Sequence, residues 1–387
     1  MSMRFKEVGK RGSKYTQCPI CGKPDWCYSY ETEYNGKLTE YVVCNRFVGR
    51  NSIPGFRYIG QTKNGTAKFV SDNDVTGATG YNYEKPVIKK DVERLSDKKL
   101  DGLNRTLLAN LKLEDYHRKK LNEDGFTNEL IELYNIRSYP PSDYDRKNEG
   151  LASINPTRSQ LARALLEKNN GDLTGFPGAY IKEYKDSRYW TLAGYEGIIF
   201  NIQNVYGEVV MLQVRLDNPS PKSGKYKVFS SEAGVNEDGT ARMPNGCGPS
   251  SRIGLVKPKV IKDSFVCYLT EGWKKAAIAS NVFGSLFVTV QGVNSYSDLF
   301  AVNDRGERNI DVLRETYGVG MFVIMYDNDK FHNDYVLQAE KNLIDCLSGE
   351  NFKVATSAWD SYMGKGIDDM LKAGYGFQGL KLNLVAG

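Results

Sequence analysis

No apolar run in this 387-residue chain comes near the roughly 18 residues that a membrane-crossing helix requires. The opening stretch, MSMRFKEVGKRGSKY, is basic but lacks the apolar centre of a secretory leader. These two lacks predict a cytoplasmic protein with no membrane partner. No GxxxxGK[ST] loop occurs anywhere, so a P-loop motor is not encoded here. Histidine is scarce, at two residues. His117 stands among Arg and Lys with no second His or Cys nearby, and is expected on a helix surface. Cys247, Cys267 and Cys346 show no metal-ligand spacing, and the last two lie in apolar patterns that predict core positions.

What is present is a chain with 40% hydrophobic and 26% charged residues, the composition of a soluble globular protein. Its length exceeds one ordinary core, so two or three domains are expected. The net charge of +5 is unevenly spread. Residues 1–70 hold 12 Lys/Arg against 5 Asp/Glu, a local excess of +7. That sign suits a polyanionic partner or a solvated basic surface. Twenty-five tyrosines supply rings that can stack on bases or simply pack.

The other four of the seven cysteines fall early. Cys18 and Cys21 form a C-x2-C knuckle in CPICGK, Cys27 follows, and Cys44 closes the set in YVVCNR. Without a secretion signal, such thiols are expected as metal ligands rather than disulfides. Zinc takes four tetrahedral thiolates, and the knuckle turn sets two of them. The alternative is four partly buried thiols. Tyr28-Ser-Tyr, Glu40-Tyr-Val-Val and Phe56-Arg-Tyr-Ile read as short strands of a zinc ribbon over residues 1–70. Lys37, Arg46, Arg50 and Arg57 are expected to meet phosphates.

Residues 71–101 are poor in large apolar side chains and read as a tether. Helical spacing begins at Leu103 and continues through EDYHRKKL and NELIELYNI, with Thr127 as an N-cap and Pro140-Pro141 as the stop. Another helix spans residues 159–168. GIIFNIQN, EVVMLQVRL and KYKVFSS then read as strands, with a turn at Val205-Tyr-Gly207. Arg215, Lys222, Lys225 and Lys227 make the end of that hairpin basic. Phosphate contact is one reading, and a Lys-protected strand edge is the other.

Residues 264–371 contain three apolar runs, each ending in acids. SFVCYLTEGWKKA ends its strand at Glu271, MFVIMYDND at Asp327 and Asp329, and FKVATSAWD at Asp360, with Asp368 and Asp369 shortly after. A parallel sheet gathers functional groups at the carboxyl ends of its strands. Carboxylates brought together there repel one another unless a cation intervenes, and hard oxygen donors select Mg2+ or Mn2+. The expected chemistry is metal-dependent phosphoryl transfer.

In this order, the segments resemble DnaG-type primases and, more closely, the Toprim primase-like proteins of phages, plasmids and integrative elements. CPICGKPDWC with Cys44-Asn-Arg resembles their zinc-binding domain. GFTNELIELYNIRSYP resembles the helical start of the catalytic core. EGIIFNIQNVYGEVVMLQVRL followed by SGKYKVFSS resembles its basic subdomain, with Arg215 and Lys225 at the phosphate-contacting positions. LTEGWKKA matches the Glu-Gly motif through Glu271, MYDND matches Asp-x-Asp through Asp327 and Asp329, and GKGIDDML matches the last acidic motif. That motif normally reads Asp-Pro-Asp and here reads Gly366-Ile367-Asp368, so one carboxylate is missing, with Asp360 or Asp369 as substitutes. The residues after Glu-Gly are Trp-Lys-Lys-Ala, so a further acidic position is lost.

The resemblance implies a multidomain α+β and α/β chain. Its parts are a zinc ribbon (1–70), a linker (71–101), a mixed basic subdomain (102–260) and a Rossmann-like Toprim domain (261–387). It implies a DNA primase that joins nucleoside triphosphates on a single-stranded DNA template, with a replicative helicase acting in trans. Asp327, Asp329 and Asp368 would hold Mg2+ or Mn2+, with Asp369 in reserve. Glu271 would ligate metal or assist proton transfer. Arg215, Lys222 and Lys225 would hold phosphates, and Lys274 or Lys275 would reach one or lie on a helix surface. Cys18, Cys21, Cys27 and Cys44 would hold structural Zn2+. The rival readings are a catalytically weak single-strand-binding accessory and a Toprim nuclease.

Overall fold

The structure, a computed structural model, describes residues 6–8, 14–23, 27–34, 37–48, 52–61, 66–71, 87–88, 92–184, 187–219, 224–232, 242–249 and 252–386. The side chains at positions 6, 7, 33, 34, 37, 48, 87, 88, 184, 329, 332 and 335 lie outside that description, as do Arg50, Lys222 and most of the expected tether. The chain divides into two compact units, residues 1–92 with 233–244, and residues 93–232 with 245–387.

The first unit is built on strands β1 (Lys6–Glu7), β2 (Tyr28–Tyr34), β3 (Lys37–Cys44), β4 (Phe47–Val48), β5 (Phe56–Gln61), β6 (Ala67–Ser71) and β7 (Val87–Ile88). Five of them form an antiparallel sheet in the order β1-β2-β3-β6-β5, and β4 pairs with β7. Tyr30 and Tyr41 lie opposite each other on β2 and β3 and stack with centroids 5.2 Å apart. The Lys68 ammonium sits 4.7 Å over the Tyr41 ring. The core gathers Val8, Ile20, Val42, Ile53 and Phe69 around the four early cysteines. Arg46 is buried in this unit rather than presented to solvent, which corrects its expected phosphate contact.

The second unit opens with α1 (Asp97–Ala109), α2 (Asp115–Glu123), α3 (Asn128–Leu133), β8 (Arg137–Tyr139), α4 (Asp143–Asn148) and α5 (Arg158–Lys168). Helix α1 starts six residues before the expected Leu103. Its buried stripe begins at Asp97 and continues through Leu100, Leu103 and Leu107, so the polar Asp97-Lys-Lys start is a helical first turn rather than tether. Thr127 caps α3 by accepting the Leu130 N–H at 3.2 Å. Helix α3 ends at Leu133, ahead of Pro140, because β8 begins at Arg137.

The hairpin β9 (Ala179–Tyr184) and β10 (Ser187–Leu192) was not expected. Strands β11 (Gly197–Gln203), β12 (Val209–Leu216) and β13 (Tyr226–Val228) follow, and the sheet runs β13-β12-β11-β8, all antiparallel. Both faces of β11 are buried. Ile199 packs into a core with Leu103 and Leu107, whereas Ile198, Phe200 and Ile202 face the other way.

The remaining elements are β14 (Gly254–Val256), β15 (Asp263–Glu271), α6 (Trp273–Phe283), β16 (Ser285–Val290), α7 (Ser297–Phe300), α8 (Asn309–Tyr317), β17 (Met321–Ile324), α9 (Asp334–Gly349), β18 (Lys353–Ala358), α10 (Ile367–Lys372) and β19 (Lys381–Ala386). Their six-stranded sheet is ordered β14-β16-β15-β17-β18-β19. The central four strands are parallel, and β14 and β19 are antiparallel edges. The expected parallel strands are present, and they place the ends of β15, β17 and β18 on one side. Cys267 is fully buried in β15, as expected. Cys346 is exposed, because the buried stripe of α9 runs through Ala339, Leu343 and Leu347.

Candidate functional site

The cysteine cluster is built locally. The Gly22 N–H donates to Cys18 O at 2.8 Å and the Cys18 N–H to Lys23 O at 2.7 Å, closing a tight knuckle. Gly22 has φ +72°, which a side chain would strain. Cys27 precedes β2 and Cys44 ends β3, and the two strands are paired. The four Sγ atoms lie within 4.8 Å of one another. Cys21 and Cys27 are 3.7 Å apart and Cys27 and Cys44 3.8 Å. Four thiolates about 2.3 Å from a zinc ion at tetrahedral angles would be about 3.8 Å apart, so this donor set fits zinc. Hydrogen bonding with Cys18 holds the Cys21 thiol below its ordinary range and pushes Cys27 and Cys44 above it.

The acidic edge comes from three turns. Glu271 ends β15, and Gly272 (φ +90°, ψ 127°) turns the chain into α6 with its N–H on Val290 O at 3.1 Å. The Met325 N–H continues the ladder to Leu269 O at 2.7 Å, and the Tyr326 hydroxyl donates to Val293 O at 3.0 Å, which delivers Asp327 to the edge. A 3-10 turn over Asn328–His332 follows. The Asn328 N–H holds Lys365 O at 3.1 Å, and its side chain donates to Trp359 O at 2.7 Å, so the loop before α10 is tied to the Asp327 turn. A Cβ built on Gly366 would lie 2.7 Å from Asp368 Oδ1 and 3.4 Å from Asp327 Oδ1, so both carboxylates flank that one point.

Cations thread between these acids. Lys275 Nζ contacts Asp327 Oδ1. Lys274 Nζ is 2.9 Å from Asp368 Oδ2 and 3.6 Å from Asp124 Oδ1. Asp124, just past α2, also pairs with Arg215 of β12. Arg215 lies directly across from Tyr226 on β13. Burial works to lower the Lys274 ammonium, but Asp368, Tyr226 and Asp124 raise it overall. Burial raises the Tyr226 phenol against the pull of Lys274 and Arg215. Trp273 fixes this arrangement: its ring packs on Phe200 at 5.1 Å and Tyr134 at 5.3 Å, joining the start of α6 to the basic sheet. A cavity of about 430 Å³ opens between the two, lined by Glu271, Lys274, Lys275 and Asp327 on one side and Gln213 and Tyr226 on the other.

The family match falls within this unit. A family profile described as "Domain of unknown function (DUF3854)" matches residues 258–376. No curated protein matches the chain. Solved structures similar to this chain include bacterial primases. The Aquifex aeolicus primase, zinc-binding and RNA polymerase domains, is 16% identical with a TM-score of 0.43, over 74% of this chain and 60% of that one. The RNA polymerase domain of Mycobacterium tuberculosis primase DnaG, solved with a double-stranded DNA oligomer bearing a 6-nucleotide overhang, is 16% identical with a TM-score of 0.44, over 72% of this chain and 77% of that one. The E. coli primase catalytic core is 16% identical with a TM-score of 0.43, over 73% and 77%. This chain therefore spans three-fifths of the Aquifex chain's length.

Of the residues singled out in the sequence, Glu271, Lys274, Lys275 and Asp327 share the cavity, and Asp368 joins them through Lys274. Asp369 is exposed and turns back to accept the Gly366 N–H at 3.2 Å, capping α10. Asp360 pairs with Lys381 at 2.6 Å. Lys225 is exposed just before β13, while Lys222 and the Asp329 side chain lie outside the described residues. Among the described residues, no three carboxylates bring their oxygens within 4.8 Å of one another.

Sequence reasoning missed Asp124, whose link to Lys274 joins residues about 150 positions apart with no local signal. It also missed Lys330, a buried ammonium 2.5 Å from Glu340 and 3.0 Å from Ser357 O that pins the turn after Asp327. His117 is fully buried rather than on a surface. Its Nδ1 meets Ser138 Oγ and its Nε2 meets Asp217 Oδ1, both at 2.7 Å, so tertiary partners override the polar neighbours in sequence.

Proposed function

We propose that this protein is a primase-like nucleotidyltransferase that joins nucleoside triphosphates into short primers on single-stranded DNA. The observation that carries this reading is the cavity between β12–β13 and α6, where acids suited to a hard cation and cations suited to phosphates face one space. The donor chemistry suits a hard cation, since Glu271 and Asp327, carboxylates at or just past the ends of parallel strands, line one cavity and Asp368 at the start of α10 lies beside Asp327. Glu271, Asp327, Asp329 and Asp368 would hold Mg2+ or Mn2+, which when bound supplies charge neutralisation at the reacting phosphate. The chain's own groups do the positioning. Arg215, Lys225 and Lys222, the last outside the described residues, bind phosphates of template or nucleotide, and Lys274 extends that row into the cavity. Tyr226 offers a ring for base stacking.

The four-cysteine unit, loaded with zinc, would hold single-stranded template, and a replicative helicase would act in trans. By resemblance to its motifs, the setting we propose is replication of a phage, plasmid or integrative element, with residues 261–387 as the Toprim domain. In Asp327→Ala, primer synthesis from labelled nucleotides falls about 100-fold or more while template binding persists. Equal synthesis by the variant would refute the assignment.

One observation favours a second reading. Asp327 and Asp368 are each paired with a lysine, which suits a DNA-binding accessory of weak catalysis. Template binding by the wild-type protein with no nucleotide incorporation in any metal would decide for it.

A further inference from the structure

Lys275 and Gly366 occupy one place from opposite sides. Lys275 is the third residue of α6, and its ammonium rests on Asp327 in the wall of the cavity. A Cβ on Gly366 would lie 3.2 Å from Lys275 Cε, closer than ordinary packing allows, besides crowding Asp368. The Gly366 backbone, at φ −102° and ψ 164°, is extended and would accept any residue. A side chain at Gly366 would meet the lysine stem and the two carboxylates, which would have to shift to admit it, whereas glycine leaves them where they are. The Asp369 cap and the Asn328-to-Lys365 bond hold this loop where it is, so the vacancy at Gly366 is not a matter of a loose segment.

An ammonium in contact with Asp327 supplies positive charge where a metal ion would otherwise supply it. A divalent ion brought to the same carboxylate must either displace that ammonium or sit beside it against charge repulsion. Lys274 on Asp368 is a different case, because it is shared with Asp124 and belongs to the row that leads to Arg215.

We propose that Lys275 is a built-in cation that takes the place of one divalent ion at Asp327, with Gly366 making room for it, so that the acidic edge binds a single divalent cation. This rests on reading the edge as a hard-cation site. It assigns Lys275 to positioning and charge compensation of Asp327 rather than to the helix surface.

Titration of the zinc-loaded full chain with Mn2+, following free Mn2+ by electron paramagnetic resonance, tests this without reference to activity. Wild type is expected to bind one Mn2+ per chain. Lys275→Ala and the longer neutral Lys275→Gln are expected to bind a second, or to bind the first on the order of tenfold more tightly. Lys275→Arg, which keeps the charge, stays at one. Circular dichroism establishes that each variant is folded, and Lys275→Gln serves if the alanine variant is not. A wild type that takes two Mn2+ or none, or folded neutral variants with unchanged count and affinity, would overturn the proposal. A one-ion wild type that makes no primers removes the polymerase reading and keeps this one. A primer-making wild type with two bound Mn2+ does the reverse.

Discussion

The four thiols of the first unit and the acids at the strand ends of the second are surrounded differently. In the first unit four buried thiols converge within 4.8 Å of one another. In the second, the acids at the strand ends are interleaved with Lys274, Lys275 and Arg215. The thiol cluster has the donor set of a zinc site, whereas the acidic edge carries countercharge of its own. A fold whose site supplies its own countercharge is expected to survive metal removal. One whose core is the ligand set is not.

The sharpest break of this comparison is at Cys44, which is fully buried and central to the first unit's core. Purified protein is expected to carry about one zinc per chain, and Cys44→Ser or chelation should unfold that unit, because apparent zinc-linked folding free energies are on the order of 10 kcal/mol. Amide exchange should show protection lost in β2, β3 and β6 and kept in β15 and β17. Protection retained in β3 without metal would remove zinc from the account.

Within the second unit the comparison is between a sealed pair and an open one. Lys330 and Glu340 are 2% and 7% exposed, while Lys275 and Asp327 are 21% and 16% exposed and border the cavity. Lys330→Ala leaves a buried carboxylate without its cation and should cost about 3–5 kcal/mol in denaturant unfolding. Lys330→Met with Glu340→Leu should recover most of that loss. Lys275→Ala should cost about 1 kcal/mol or less, since water and cations reach Asp327. Equal losses at the two sites would show that the edge is stabilised as a core feature and not kept for binding.

These contrasts also explain what could be read from the sequence. The strands leading to Glu271, Asp327 and Asp360 were legible because apolar runs bounded by acids are local signals, and so was the C-x2-C knuckle. The tether was read too far into α1, since Asp97-Lys-Lys is polar and the apolar spacing begins only at Leu100. His117, Asp124 and Lys330 were missed or misplaced for one physical reason. Each is defined by a partner distant in sequence or by burial, and neither leaves a periodic trace. Asp369 was the reserve for Asp368, but one residue along a helix rotates a side chain by about 100 degrees, and Asp369 turns back to cap α10 while Asp368 meets Lys274.

A comparably small effect tests a residue defined by distant partners, away from either cluster. Asp217 accepts from His117 Nε2 at 2.7 Å and from Tyr116 at 3.3 Å, with Lys120 at 3.6 Å. Burial alone would raise its carboxyl, but the hydrogen bond and charge of His117, with Lys120 and Tyr116, bring it below the ordinary carboxylate value. A carboxyl lowered in the folded state stabilises the fold above its unfolded pKa of about 3.9, and the contribution is lost as pH falls through the lower folded value. Asp217→Asn keeps a hydrogen-bond acceptor for His117 but not the charge. It should cost about 1 kcal/mol at pH 7 by denaturant unfolding, and the difference from wild type should shrink as pH is taken below about 4. A difference that stays constant with pH would mean that Asp217 acts through packing alone, and that His117 is held in place chiefly by Ser138.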